Sequence, residues 1–222
     1  MTKLTRQQVL EIARKLYAGP PAVRNAIQRA RPHICPFEDL AACVPEGAHV
    51  LDFGCGSGLF LAVLAATRPG FRGIGVDPSQ AAIEAAHTMA VRLAARHATS
   101  QLSFARLESL ATMPAGPFDL VSMIDVAHHL PAGQLEAHIA ALAARVRPGG
   151  WFLYKDMASR PRWMAMLNRA HDLVVAREWI HYVQPDRVER QLAEAGWRLV
   201  RSEAWRLLWY SHDLRLFQRS SH

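Results

Sequence analysis

Short apolar segments alternate with helical ones from Gly47 to the end of the chain, and this alternation restricts the fold more than any other feature. The first segments have no polar face, which is typical of parallel strands that helices cover on both sides. Seven segments have this strand pattern: 49–53, 73–77, 102–105, 118–124, 151–155, 197–203 and 213–218. We therefore predict an α/β protein with a doubly wound, mostly parallel, seven-stranded sheet.

Helical periodicity fills the space between the strand segments and also the start of the chain. The helical segments are 5–17, 22–29, 36–44, 59–67, 80–96, 133–146 and 185–195. Since the first three precede the alternating region, we expect residues 1–46 to form a helical N-terminal extension. Residues 47–222 then form the main domain. Within it, the basic and aromatic-rich segment 157–184 breaks the alternation and is predicted to be a helical insertion.

The composition excludes several classes of protein. Half of the 222 residues are hydrophobic and 20% are charged, which is typical of a globular domain and not of a disordered or coiled-coil chain. No apolar run approaches the ~20 residues of a membrane span, and the first ten residues have no secretory pattern. The three cysteines, Cys35, Cys43 and Cys55, do not have metal-site spacing. We expect a cytoplasmic protein with reduced thiols and no metal.

The net charge of +7 is concentrated near the ends of the chain. Residues 1–35 contain seven lysines and arginines and one acid, Glu11, whereas residues 36–155 are slightly acidic. A basic surface of this kind suits nucleic acid, an acidic carrier protein or a phosphorylated ligand. A solvated amphipathic helix explains the same pattern, so the charge alone does not select a partner.

A glycine-rich segment between the first strand and the next helix is the strongest functional signal. Residues 50–58 read Val-Leu-Asp-Phe-Gly-Cys-Gly-Ser-Gly. Glycines let a ligand approach the backbone, and the helix that follows directs free N–H groups to the same place. A dinucleotide-binding fingerprint that began at Gly54 would need glycine at position 59, which is Leu59. The Gly-Lys-Ser/Thr sequence of a phosphate-binding loop is also absent.

The pattern Asp52-x-Gly54-x-Gly56-x-Gly58 resembles motif I of the class I S-adenosylmethionine-dependent methyltransferases. Four later segments continue the resemblance in the same order. They are Gly-Ile-Gly-Val-Asp at 73–77, Phe-Ala-Arg-Leu-Glu at 104–108, the segment 118–130, and Arg-Pro-Gly-Gly at 147–150. The resemblance covers about residues 47–156.

The resemblance implies S-adenosylmethionine as cofactor and assigns residues to it. Asp77 ends the second strand, where an acid accepts hydrogen bonds from both ribose hydroxyls. Glu108 lies where the family often has an acid beside the adenine. The remaining cofactor-binding candidates follow the motifs: Asp52, Gly54, Cys55, Gly56, Gly58, Pro78 and Asp125.

The residues after the fourth strand predict the type of acceptor. They read Asp125-Val-Ala-His128-His129. They lack both the Pro-Pro-aromatic sequence of amino methyltransferases and the Pro-Cys of cytosine-C5 enzymes. Small-molecule and phenol O-methyltransferases often have a histidine there, and an unperturbed imidazole titrates near pH 6.5. His128 is therefore the leading candidate for the general base, with His129 second. A structural role at the start of a helix explains the pair equally well.

Further residues around the fifth strand complete the functional hypothesis. Lys155 would bind an acidic group of the acceptor or lower the pKa of a phenol, with a surface ion pair to Asp156 as the alternative. Segment 157–184 is predicted to contribute to the acceptor side. We expect methyl transfer to a hydroxyl or phenol oxygen of a small molecule in secondary metabolism, free or on an acyl carrier protein. An RNA methyltransferase and a non-catalytic S-adenosylmethionine-binding protein are the alternatives, although no appended RNA-binding module is recognisable.

Overall fold

The computed structural model describes residues 4–19, 22–97, 99–131, 133–157, 184–207 and 210–221. The chain divides into two compact units, residues 1–114 and 115–222. Most of segment 157–184, the predicted acceptor-side insertion, lies outside the described residues. The division of the chain at Gly47 into an extension and a main domain stays a prediction.

Seven strands form one sheet in the order β3-β2-β1-β4-β5-β7-β6. The strands are β1 His49–Phe53, β2 Arg72–Asp77, β3 Gln101–Arg106, β4 Phe118–Ile124, β5 Val146–Met157, β6 Trp197–Leu207 and β7 Tyr210–Arg219. In the first unit β1, β2 and β3 are parallel neighbours. In the second unit β4 and β5 are parallel, while β7 is antiparallel to both β5 and β6. The predicted mostly parallel α/β sheet is confirmed.

Seven α-helices lie in the described part of the chain. They are α1 Arg6–Leu16, α2 Ala22–Ala30, α3 Phe37–Ala42, α4 Leu59–Thr67, α5 Gln80–Ala94, α6 Leu135–Ala143 and α7 Pro185–Glu194. Helix α4 is apolar on every side, and its first seven residues are buried. Such a helix belongs to the interior of the fold rather than to its surface. None of the described helices is long and apolar enough to cross a membrane.

Most predicted element boundaries lie within two residues of those in the structure, but β6 continues to Leu207 instead of ending at Glu203, and β7 begins at Tyr210 instead of Asp213. The region around β5 differs as well. The sequence predicts a strand over 151–155 preceded by a helix that reaches Val146. Instead, α6 ends at Ala143, and Val146 pairs with Phe118 as the first residue of a longer strand. The ladder then shifts register, and its next pair is Leu120 with Trp151. The residues 147–150 form this irregularity, which the local Pro-Gly-Gly sequence hides from a pattern-based prediction.

The predicted N-terminal helices are present, and they pack within the first unit. Thr5 caps α1 through a reciprocal capping box with Gln8, as its side-chain type favours. The buried face of α1 consists of Val9, Ala13 and Leu16. At the end of α3, Arg68 donates hydrogen bonds to the carbonyl oxygens of residues 41, 44 and 45. These contacts join the N-terminal helices to the end of α4.

Candidate functional site

The glycine loop between β1 and α4 is held to β2 by backbone hydrogen bonds. The amides of Gly54 and Cys55 both donate to the Val76 carbonyl oxygen, at 2.8 and 3.0 Å. One carboxylate oxygen of Asp77 accepts from the Gly56 amide at 2.9 Å, and the other accepts from the Ser79 amide at 2.9 Å. The predicted loop and the predicted ribose-binding acid therefore form one hydrogen-bonded unit at the end of β2.

Gly58 and Gly56 of this loop are needed for different structural reasons. Gly58 has φ +81°, and a Cβ atom there would lie 2.8 Å from the Phe104 ring. Gly58 is therefore required by packing and by backbone conformation. Gly56 also has a positive φ of +54°, but the nearest atom to its Cβ position is Arg31 Nη1, at 3.8 Å. Open space next to a backbone amide suits a ligand that approaches the chain closely.

Tyr17 joins the N-terminal helices to the glycine loop, and sequence reasoning did not assign it a role. Its side chain is 1% exposed, and its hydroxyl donates to the Ser57 carbonyl oxygen at 2.7 Å. Burial raises the pKa of this hydroxyl well above its ordinary value. Arg92 donates to the Leu16 carbonyl oxygen at 2.9 Å and so fixes the end of α1 as well. An isolated tyrosine after a helix has no sequence signal that predicts such a contact.

The other cofactor candidates of the first unit lie around this loop. Asp52 and Cys55 are buried, whereas Pro78 and Glu108 are exposed. Burial, together with the charges of Asp52 and Asp77, raises the pKa of the Cys55 thiol well above its ordinary value. The thiol therefore stays neutral near pH 7. Glu108 follows Leu107, whose amide donates to the Asp77 carbonyl oxygen at 3.0 Å, so it lies just beyond the end of β2.

In the second unit, His128 is held by the carboxylate of Asp156. Both side chains are 3% exposed. His128 Nδ1 makes a short hydrogen bond with Asp156 Oδ1, and the His128 amide donates to Oδ2 at 3.1 Å. The Met157 amide donates to Oδ1 at 2.7 Å. Because a carboxylate accepts, Nδ1 of His128 carries the proton of this hydrogen bond, and in the neutral tautomer Nε2 is then the basic nitrogen.

His129 differs from His128 in its exposure to solvent. Its side chain is exposed, and its ring centroid lies 4.1 Å from that of His128. Both histidines belong to the short helical turn Ala127–His129, as the sequence suggested for a structural role. Sequence reasoning placed Asp156 at the end of β5 but did not connect it with His128. The two residues are 28 positions apart, so only the pairing of strands reveals the contact.

Lys155 and Asp125 form a second buried pair. Lys155 has a fully buried side chain, and its Nζ donates to Asp125 Oδ1 at 2.5 Å. The Asp125 amide donates to the Lys155 carbonyl oxygen at 2.8 Å. The predicted alternative of a surface ion pair with Asp156 is therefore wrong. Asp125 also has φ +55°, the only positive φ among the described residues other than glycine, and such strain marks functional sites.

The chain matches a known protein family over most of its length. Residues 26–202 match the model of a family described as a methyltransferase domain. The chain therefore belongs to this family, and it is a class I S-adenosylmethionine-dependent methyltransferase, as the sequence motifs predicted. S-Adenosylmethionine is accordingly its cofactor.

The individual relatives share less than a third of their aligned residues with this chain. The chain is 29% identical over 156 residues to a ubiquinone biosynthesis O-methyltransferase of Alkalilimnicola ehrlichii, a match that covers 68% of this chain and 60% of the relative. A protein of the same name from Burkholderia pseudomallei is 22% identical and covers 87% of this chain and 82% of the relative. The chain thus spans about three fifths of the length of the first of these relatives.

Among solved structures, the fold is similar to magnesium protoporphyrin IX methyltransferase from Synechocystis PCC 6803 with bound S-adenosylhomocysteine. The TM-score is 0.67, with 19% sequence identity over 97% of this chain and 95% of the other. At this identity the similarity establishes the fold alone.

Proposed function

We propose that this protein methylates the oxygen of a hydroxyl or phenol group on a small molecule, with His128 as the general base. The observation that carries the proposal is the buried His128–Asp156 pair. This pair orients the ring and places a proton on Nδ1, so Nε2 of neutral His128 would accept the proton that methylation of a hydroxyl group releases. The names of the relatives, O-methyltransferases of ubiquinone biosynthesis, support oxygen as the methylated atom.

The first unit has residues that fit the cofactor. Each Asp77 carboxylate oxygen accepts one backbone hydrogen bond and keeps a free lone pair, so two ribose hydroxyls find acceptors there. The open space beside Gly56 admits a ligand against the backbone. Glu108 would accept from the adenine, and Asp52, Gly54, Cys55, Gly58 and Pro78 would form the surrounding wall. S-Adenosylmethionine supplies a methyl group that is already activated on a sulfonium.

The second unit has residues that suit proton removal. Asp156 holds the His128 ring in one orientation and one tautomer. The same carboxylate stabilises the positive charge that His128 gains when it takes the proton of the acceptor hydroxyl. A positioned base of this kind typically contributes about 10²–10⁴-fold to the rate. Alignment of the acceptor oxygen with the methyl group supplies the larger remainder.

Lys155 acts through Asp125 in this proposal. Its ammonium is buried against the Asp125 carboxylate, so it is placed to fix that residue rather than to bind the acceptor directly. Asp125, held in a left-handed conformation, is a cofactor-binding residue in this proposal because of its place in the family resemblance. A lysine that is removed from a buried pair leaves an uncompensated charge, so both residues are expected to matter for folding as well as for activity.

The finer features of the function are also proposals. We also propose a carrier-bound acceptor, a place in secondary metabolism and a cytoplasmic location. The basic segment 1–35 supports an acidic carrier partner. An RNA acceptor is the alternative that the net charge favours.

One experiment tests these alternatives together. The full chain is incubated with S-adenosylmethionine labelled in its methyl group and with fractionated host extract, and labelled products are identified by mass spectrometry. A small-molecule methyl ether is the expected product, and Asp77→Ala should lower its formation at cofactor concentrations below saturation. Label in RNA would overturn the proposal in favour of an RNA methyltransferase. Cofactor binding in calorimetry without any labelled product would indicate a binding protein instead.

A further inference from the structure

The residue beside Asp156 on the neighbouring strand is a second acid. Asp213 of β7 is the antiparallel partner of Asp156 of β5. Residues that pair directly across two antiparallel strands point to the same face of the sheet, with their Cβ atoms about 4.5–5.5 Å apart. The carboxylate that holds His128 therefore has another carboxyl group as its direct neighbour. Asp213 has no part in the function proposed above.

This position of Asp213 is unfavourable for folding. Like charges directly opposite each other destabilise a sheet. Both side chains are poorly hydrated, since that of Asp156 is 3% exposed and that of Asp213 is 16% exposed. Burial raises the pKa of the Asp213 carboxyl, Arg215 lowers it, and Asp156 raises it further. An acid that is kept at such a cost is expected to serve the site beside it.

Arg215 favours the charged form of Asp213. Its Nη1 lies 3.7 Å from Asp213 Oδ1, and its Nε donates a hydrogen bond to Glu189 of α7. Nη1 also donates to the carbonyl oxygen of Leu214 at 2.9 Å. The guanidinium is thus fixed between two acids, and it compensates part of the cost of burying the Asp213 carboxylate.

Other titratable and charged groups surround His128, Asp156 and Asp213. They are Asp125 after β4, His129 of the short helical turn, Tyr154 of β5, Arg206 of β6, and Asp186 and Glu189 of α7. Lys155 and His212 point to the opposite face, because side chains alternate along a strand.

The charges of these groups favour a protonated His128. Lys155 compensates the charge of Asp125, and burial raises the pKa of the Tyr154 hydroxyl, which therefore stays neutral. The remaining acids of β5, β7 and α7 outnumber the two arginines, and nearby negative charge stabilises an imidazolium. A protonated His129 opposes this effect, but its ring is exposed to solvent, which screens its charge.

We propose that Asp213 is a positioning residue for the base: its ionised carboxylate acts beside Asp156 to stabilise the protonated imidazole of His128. This inference rests on the function proposed above and adds a third member to the His128–Asp156 pair. A second anion raises the proton affinity of the whole pair, so His128 takes the proton of the acceptor hydroxyl more readily.

Nuclear magnetic resonance measures the pKa of His128 directly and needs no acceptor. The full chain is prepared with isotope-labelled histidine, and the His128 ring signals are those missing from His128→Gln. Asp213→Asn has nearly the same shape without the charge. It should lower the pKa of His128 by about 0.5–1, since a charge shifts a pKa by about 1–3 at direct contact and by less beyond it. His138 on α6, which bonds to the Gln134 carbonyl oxygen, is the internal control and should keep its pKa.

A charged replacement separates the effect of charge from that of shape. Asp213→Glu keeps the charge but adds a methylene group, so it disturbs packing more than Asp213→Asn does. The pKa of His128 should nevertheless stay closer to the wild-type value in Asp213→Glu. A packing role for Asp213 requires the opposite order and would overturn the proposal.

Asp119→Asn is the matched control for the loss of a carboxylate. Asp119 lies at the start of β4 and pairs with Arg147, whereas His128 follows the end of that strand. This variant should leave the pKa of His128 unchanged. An equal fall in Asp119→Asn would mean that the net charge of the protein, and not the neighbour of Asp156, sets the pKa.

The rate of methyl transfer shows whether the effect reaches catalysis. With the acceptor found by the labelling experiment, the acidic limb of kcat/KM in Asp213→Asn should move to lower pH by the same amount as the pKa of His128. The rate at high pH should fall about two- to threefold, because a weaker base removes the proton less effectively. A purely structural role would lower the rate at every pH and leave the limb in place.

The outcomes separate this inference from the proposed function. An unchanged pKa of His128 in Asp213→Asn would overturn the role of Asp213 and leave His128 as the proposed base. A lowered pKa together with a rate that does not depend on His128 would overturn the proposed base, and the role of Asp213 with it. If Asp213→Asn fails to fold by circular dichroism, Asp213→Thr removes the same charge with a side chain that favours strands, and decides the question instead.

Discussion

The two units hold their candidate functional residues in different ways. In the first unit, backbone amides and carbonyls fix the glycine loop, and Asp77 accepts from two amides within 21 residues of itself. In the second unit, side chains fix one another, through the buried pairs His128–Asp156 and Lys155–Asp125. A loop held by its backbone tolerates many side chains but few changes of glycine. A site held by buried charged pairs tolerates hardly any change of either partner.

The largest expected effect is on the rate of the chemical step. His128→Ala should lower kcat by about 10²–10⁴-fold with cofactor affinity nearly unchanged, because it removes a base without touching the first unit. The wild-type rate should rise with pH as an imidazole loses its proton, and the variant should lose this limb. Steady-state kinetics as a function of pH, with cofactor affinity from calorimetry, provide the measurement.

His129→Ala is the matched control for this prediction. Its side chain is exposed and adjacent, so kcat should change far less than in His128→Ala. An equal loss in both variants would mean that the pair has only a structural role, and the second unit would then not supply the base.

The next effect in size belongs to the first unit. Asp77→Ala removes a charged acceptor and should weaken S-adenosylmethionine binding by roughly 2–3 kcal/mol. Asp119→Ala removes a half-buried carboxylate of the second unit, which pairs with Arg147, and should leave this affinity unchanged. Isothermal titration calorimetry measures both. Wild-type affinity in Asp77→Ala would contradict the placement of the ribose and would weaken the contrast between the two units.

The buried Cys55 thiol should have a smaller effect, which concerns the stability of the folded protein at high pH. The pKa of the Cys55 thiol is raised by burial, then by the charges of Asp52 and Asp77. The unfolded thiol ionises at lower pH than the folded one, so stability is complete below the unfolded pKa and falls as pH rises above it.

Cys55→Ala should flatten this alkaline slope. Chemical denaturation between pH 7 and pH 10 measures it, and both proteins should share the remaining slope from other groups. An unchanged slope in Cys55→Ala would show that the thiol beside the glycine loop is hydrated, and that the first unit is less tightly packed than its burial implies.

The smallest expected effect concerns the link between α1 and the glycine loop. Tyr17→Phe removes the hydrogen bond to the Ser57 carbonyl oxygen and should lower stability and cofactor affinity by about 0.5–1.5 kcal/mol in sum. Tyr154→Phe is the matched control, since the buried Tyr154 hydroxyl has no partner in the described part of the chain. The control should leave cofactor affinity unchanged. A larger loss of affinity in the control would reverse the assignment of cofactor binding to the first unit.

The sequence alone determined the parts of this protein that local patterns encode. Alternating apolar and helical segments predicted the α/β sheet, and β1, β4 and α4 begin and end where the pattern placed them. The glycine loop was predicted from the glycines that follow β1, which let a ligand approach the backbone, and Asp77 was predicted from the resemblance to class I methyltransferases. Helical periodicity over residues 5–17 likewise predicted α1. These features depend on residues that are close in the sequence.

The tertiary structure alone decided which distant side chains meet. Asp156 and His128 are 28 positions apart, Lys155 and Asp125 are 30 apart, and Tyr17 and Ser57 are 40 apart. Periodicity also does not fix the antiparallel register that pairs Asp213 of β7 with Asp156 of β5. A period of two residues shows which side chains share a face but not which strands are neighbours. The tertiary structure therefore determined that Asp156 is the residue that holds the proposed base, His128.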